Sequence, residues 1–122
     1  MTDYSRDELL SERNKLQISI ANMEVEKTRA LDDKRIEVSD FRLINGEQLS
    51  LENTLNQYNI ALANEGFDSI SVPGSQLKES VDNLNEAIST IEEVGNLLSV
   101  IAQVIDEINK LIGAILRLRT PV

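Results

Sequence analysis

The sequence predicts an all-α protein: an antiparallel helical hairpin of two long helices that assembles into an oligomeric coiled-coil bundle. Three observations carry this expectation. Apolar residues recur at heptad spacing along most of the chain, one clear loop lies at residues 65–75, and no proline precedes Pro73. The 122 residues suit a single domain. With only two Phe, two Tyr and no Trp, Leu, Ile and Val must supply the burial.

The first helix is expected over residues 5–64. Ser5 and Glu8 fit a capping box, Tyr4 and Leu9 occupy the positions of a hydrophobic staple, and Asp7 suits the positive end of the helix dipole. Leu9, Leu16, Ile20 and Met23 mark one face. In residues 24–37, nine of fourteen positions are charged, which reads as an exposed helix laced with ion pairs. A cleaner stripe follows in Phe41, Ile44, Leu51, Leu55, Tyr58 and Leu62, with Gln48 in the seam. Asn45-Gly46 is a weak point in the helix, since Gly costs about 1 kcal/mol there relative to Ala. Gly66 suits a helix C′ position and Ser75 an N-cap.

The second helix is expected over residues 76–118, with Arg117 and Arg119 near its negative end and Pro121 closing it. Its first part is an ordinary a/d seam: Leu77, Val81, Leu84, Ile88, Ile91. From Val94 the pattern doubles. Val94, Leu98, Ile101, Ile105, Ile108, Ile112 and Ile115 form one stripe; Leu97, Ile101, Val104, Ile108, Leu111, Ile115 and Leu118 form the other. At roughly 100° per residue they span about 120°, too wide for one neighbouring helix.

Folding about residue 70 sets Leu55 against Leu84 and Leu51 against Ile88, and brings Gly46 opposite Gly95 as a close approach or shared kink. The double seam then meets only the charged stretch. Its unmatched Leu and Ile side chains, each worth about 1.5–3 kcal/mol when buried, predict an obligate homo-oligomer, a trimer or a dimer, with residues 94–118 at its centre. Asn109 lies at the inner edge of this face, where an Asn can set register. Residues 4–20 would overhang, free for another contact.

The net charge of −9 is uneven. Residues 44–95 hold nine acids and one base, Lys78. That argues against nucleic-acid binding, which wants clustered Lys and Arg. With no Cys and no His, thiolate chemistry and the commonest metal ligand and general base are missing. No phosphate-binding glycine motif and no nucleophile elbow is present. The adjacent pairs Asp32-Asp33 and Glu92-Glu93 point about 100° apart on a helix and form no dyad. No cofactor and no metal are expected, and the expected role is not enzymatic: a scaffold, adaptor or structural subunit that binds a protein partner. Phe67, Ile70 and Val72 in the loop, and the acids Glu79, Asp82 and Glu86, are the candidate partner contacts. The alternative is an acidic decoy that fills a basic groove on a target protein; a third reading is a membrane-active helical protein. Asp106 and Lys110 interrupt the C-terminal apolar run, which weighs against a membrane span. With no secretory signal in view, a cytoplasmic location is expected, with signal-less secretion left open.

Overall fold

The computed structural model describes residues 2–118. Arg119 and Pro121, expected to close the last helix, lie outside the described residues. The order is β1 (Thr2–Ser5), α1 (Arg6–Asp32), α2 (Val38–Asn64), β2 (Ser69–Val72), α3 (Leu77–Ser89) and α4 (Val94–Arg117). The protein is mostly helical, as expected, but the described residues form four helices where two long ones were expected, plus a two-stranded ribbon.

The first helix starts as its sequence dictates. Ser5 Oγ accepts the Glu8 N–H at 3.1 Å and the Glu8 carboxylate accepts the Ser5 N–H at 3.1 Å. It does not continue to residue 64. The Arg35 N–H donates to the Ala30 carbonyl at 2.8 Å and the Lys34 N–H to the Leu31 carbonyl at 3.1 Å. This is a Schellman stop, with Lys34 in the left-handed region at φ 61°. Ile36 folds under it, 5% exposed. So the charged stretch 24–37 is a helix end and a turn. Asn45-Gly46, by contrast, stays helical.

The second helix is broken as well. The chain leaves α3 at Thr90 and re-enters α4 from Glu93. Ile91 remains fully buried within this turn, which is why the apolar column runs through it unbroken. The turn also changes which columns face inward. Leu77, Val81, Leu84 and Ile88 fill the core from α3, whereas Leu97, Ile101, Val104, Ile108, Leu111 and Ile115 do so from α4.

Side-chain bonds fix the helix directions. Lys27 bonds to Gln48 and Tyr58 to Leu9, so α1 and α2 are antiparallel. Lys78 bonds to Glu8 and Asn85 to Ser19, so α3 runs parallel to α1. The hairpin turn at residues 90–93 sends α4 back beside α2. Around the bundle the order is α1, α2, α4, α3. α2 and α3, paired in the expected hairpin, therefore sit diagonally. The 65–76 connection crosses the base of the bundle between them, and β2 pairs antiparallel with β1 there, Tyr4 opposite Ile70. The expected N-terminal overhang does not exist, because Leu9, Leu16 and Met23 are fully buried in the bundle. Nor do Gly46 and Gly95 crowd each other: a Cβ on either would meet nothing within 4 Å.

Candidate functional site

The wide apolar face of the C-terminal segment is covered within one chain. Leu97, Ile101, Val104, Ile108, Leu111 and Ile115 are fully buried, packed between α2 and α3. The two neighbours that such a face requires are thus both intramolecular. Four members of the first stripe are different: Val94, Leu98, Ile105 and Ile112 are only partly buried, at the seam where α4 meets α2. Leu116 and Leu118 are exposed.

Following the helix turn outward from that seam defines one flank of the bundle. On α4 it carries Leu98, Ala102, Ile105, Asn109, Ile112 and Leu116. On α2 it carries Leu43, Gly46, Ser50, Asn53, Gln57, Ile60 and Asn64. These thirteen residues are uncharged, with Asp40 and Glu47 bordering them on α2 and Asp106 on α4. Leu43 is 56% exposed and Ile60 52%. Near its lower end a shallow groove of about 230 Å³ runs between Gln57, Ile60, Ala61, Asn64, Ile112 and Leu116. Sequence reasoning missed Leu43 and Ile60, and set Gly46 against Gly95 instead. The available signal was that Leu43 and Ile60 fall off the Phe41–Ile44–Leu51–Leu55–Tyr58–Leu62 seam, where a helix facing water would carry polar side chains.

The loop candidates separate. Ile70 and Val72 are buried, 7% and 3% exposed, because alternate residues of β2 turn onto the bundle. They are therefore core, and offer no contact to a partner. Phe67 is half-buried beneath the Arg6 guanidinium, 5.1 Å from its ring centre. That guanidinium also donates to the carbonyls of Leu62 and, at 2.8 Å, Glu65. Arg6 thereby closes the C-terminal end of α2, where a cation suits the dipole. Glu79, Asp82 and Glu86 are all exposed on the outer face of α3. Glu79 and Glu86 line grooves between α3 and α4, on the side of α4 away from α2.

Inside, α1 alternates apolar and polar layers. Leu9, Leu16, Met23 and Ala30 alternate with Glu12, Ser19 and Lys27, all buried. Lys27 is 3% exposed. Its ammonium meets Glu24 at 2.7 Å, Gln48 Oε1 at 2.8 Å and Asn45, and lies 5.4 Å from the Phe41 ring centre. The Gln48 amide donates in turn to Glu24 and Glu52. The paired cation and the Gln48 amide hold the Glu24 carboxyl below its ordinary range. Tyr58 donates to the Leu9 carbonyl at 2.9 Å, and burial, assisted by the Glu12 charge, pushes its phenol well up. These groups tie helix to helix.

An open groove of about 540 Å³ separates α1 from α3, lined by Lys15, Ile18, Ser19, Asn22, Glu26, Asn85, Ile88 and Ser89. Among the described residues there is no group of three or more Asp or Glu placed to hold a metal ion. Among them also, no helix is long and apolar enough to cross a membrane. No protein family matches the chain, and no curated protein or solved structure is similar to it.

Proposed function

We propose that this chain is a non-enzymatic assembly protein, a scaffold, adaptor or structural subunit that binds protein through the flank of α2 and α4. One observation carries the reading: Leu43, Ile60 and Leu116 are exposed along the flank that also holds half-buried Leu98, Ile105 and Ile112. Exposed apolar side chains gathered on one face are the usual mark of an interaction surface. Scattered singly, they would mean little. A photo-reactive side chain at Ile60 tests this in an extract of the native cells, with one at Asp82 on α3 as the control. Protein adducts from position 60 and none from position 82 are expected. If position 60 yields no adduct to any protein, the reading fails.

A second reading rests on Glu79, Asp82 and Glu86, which spaced three and four apart give α3 an outward acidic face. Such a face suits a basic groove on a target. Adducts only from position 82, lost at moderate salt, would favour it over the flank.

A further inference from the structure

We propose that this chain also forms an exchanged dimer, in which the turn at residues 33–37 straightens, α1 and α2 become one helix, and β1 and α1 of each copy pack into the bundle of the other. The occupant of each bundle is the same segment that fills it in the single chain. The proposal goes beyond the reading of the α2–α4 flank and does not depend on it.

The two helices are joined in register, although nothing in the folded chain requires it. Leu9, Leu16, Met23 and Ala30 on α1 and Ile44, Leu51 and Tyr58 on α2 are all fully buried. All fall on one seven-residue column, which Glu37 alone interrupts. Helices folded against each other around a turn tolerate any spacing between their columns, and only about one spacing in seven continues the heptad. Straightened, residues 6–64 make a single helix of about 90 Å at 1.5 Å per residue, with that column along its length.

The turn itself is built of residues that suit a helix. Residues 31–37 contain no Gly and no Pro. The left-handed position that ends α1 is filled by Lys34, at φ 61°, where a side chain is crowded and glycine is usual. Made helical, the segment frees Lys34 of that crowding. It also sets Asp32 beside Arg35 and Lys34 beside Glu37, opposite charges three residues apart. Short hinges under strain are where copies exchange elements.

Little else changes. Tyr58 to the Leu9 carbonyl, Ser19 to Asn85, Lys78 to Glu8 and Tyr4 to Ser75 all re-form between copies, with the same partners. What the closed turn contributes by itself is the exposed Arg35–Glu92 pair, at 3.2 Å, and the burial of Ile36. In the dimer Ile36 lies near the two-fold axis, where the partner's Ile36 covers it. The copies meet through residues 24–37, which hold five acids and four bases. Two chains of net charge −9 repel least at so balanced a segment. α1 takes no part in the α2–α4 flank, so the dimer presents that flank twice, and one chain becomes a two-ended connector.

Refolding the intact chain at millimolar concentration should give, by light scattering, a species of twice 13.6 kDa beside the single mass, its share rising with concentration. K34G eases the closed turn and weakens the straight helix, and should lower the association constant by roughly tenfold or more. Deleting residues 31–37 removes the turn and one whole heptad, so the column stays in register; that variant should be dimeric throughout. The chain has no cysteine, so S19C in one copy and N85C in another report the exchange directly. Refolded together and oxidised, they should form a mixed disulfide; refolded separately, neither should cross-link. A single mass at every concentration, a dimer indifferent to K34G, a dimer without the mixed disulfide, or a monomeric deletion variant would overturn the proposal. Should the deletion variant fail to fold, K34G and the mixed disulfide decide the matter. Adducts from position 60 test the flank alone and are independent of all these outcomes.

Discussion

The carboxylate of Glu107 on α4 accepts the backbone N–H of Gln76 at 3.2 and 3.3 Å, so α3 is capped by a side chain from its neighbour. Gln76 itself makes no side-chain cap. Lys110 holds the carboxylate from the solvent side at 2.9 Å. A negative group at a helix N-terminus meets unpaired N–H groups and the positive dipole end. E107A should lose about 1–2 kcal/mol, the range of a lost N-cap, and E107Q less, because its amide oxygen still accepts. Hydrogen exchange of the amides from Leu77 to Ser80 should quicken in E107A before global unfolding does. Unchanged exchange there would show that the contact does not hold the helix start.

Lys34 sits at φ 61° in a position where glycine is the usual residue. A side chain there costs roughly 1–2 kcal/mol by steric crowding, and Lys34 is exposed, so nothing packs against it in return. K34G should therefore raise stability by up to about 1 kcal/mol, after the added chain entropy of glycine is subtracted. Thermal melting at neutral pH checks this, and a fall in melting temperature would contradict it.

Buried Lys27 and Gln48 should behave as a unit. Q48L alone removes one of the three acceptors of the ammonium, leaving Glu24 and Asn45, and should cost about 1.5–3 kcal/mol, the range for a hydrogen bond to a charged group. K27M/Q48L replaces both with apolar groups of similar size and should recover most or all of that loss. Urea unfolding of the four members of the cycle gives the coupling. Additive losses would mean that Lys27 reaches water without Gln48.

Acid and alkali should act through different residues. Glu8 is held below its ordinary range chiefly by Lys78 and by the Ser5 N–H, and Glu24 by Lys27 and Gln48. Groups with lowered folded values contribute stability above about pH 4.5 and lose it as pH falls through those values. E8Q/E24Q should flatten the acid limb. Tyr58 titrates higher when folded than its ordinary value of 10.0, so its contribution is complete below pH 10 and declines above it. Lys78, raised chiefly by its bond to Glu8, acts in the same sense. Y58F should cost about 1 kcal/mol at pH 7 for the lost bond to Leu9, and should make the alkaline limb shallower.

The sequence revealed the helix start at Ser5, the connection over residues 65–75 and the breadth of the apolar face on α4. It concealed both helix breaks, for definite reasons. The first depends on Lys34 adopting a conformation that residue type rarely takes, amid charged residues that favour helix. The second leaves Ile91 buried, so the heptad columns persist although the chain reverses. With those breaks unseen, residues 94–118 had no partners within the chain and implied several copies. The breaks supply α2 and α3 as partners, and the apolar surface left outside shrinks to half-buried Leu98, Ile105 and Ile112 and their neighbours on α2. The buried Lys27 cluster could not be read, because a lysine in a run of charges looks solvated until its neighbours are known.

The ribbon at the base also bears on how the molecule comes into being. Its two helical hairpins are local and can form early, but Tyr4 and Ser75, bonded at 2.7 Å, stand 71 residues apart. Contacts between distant parts of a chain form slowly, after loop closure. On the ribosome the first strand must therefore wait, edge unpaired, until residues 69–72 have been made. Joining β1 to β2 is then a late step that locks the two hairpins side by side. Deleting residues 2–5 should leave both hairpins helical and free to associate in more than one way.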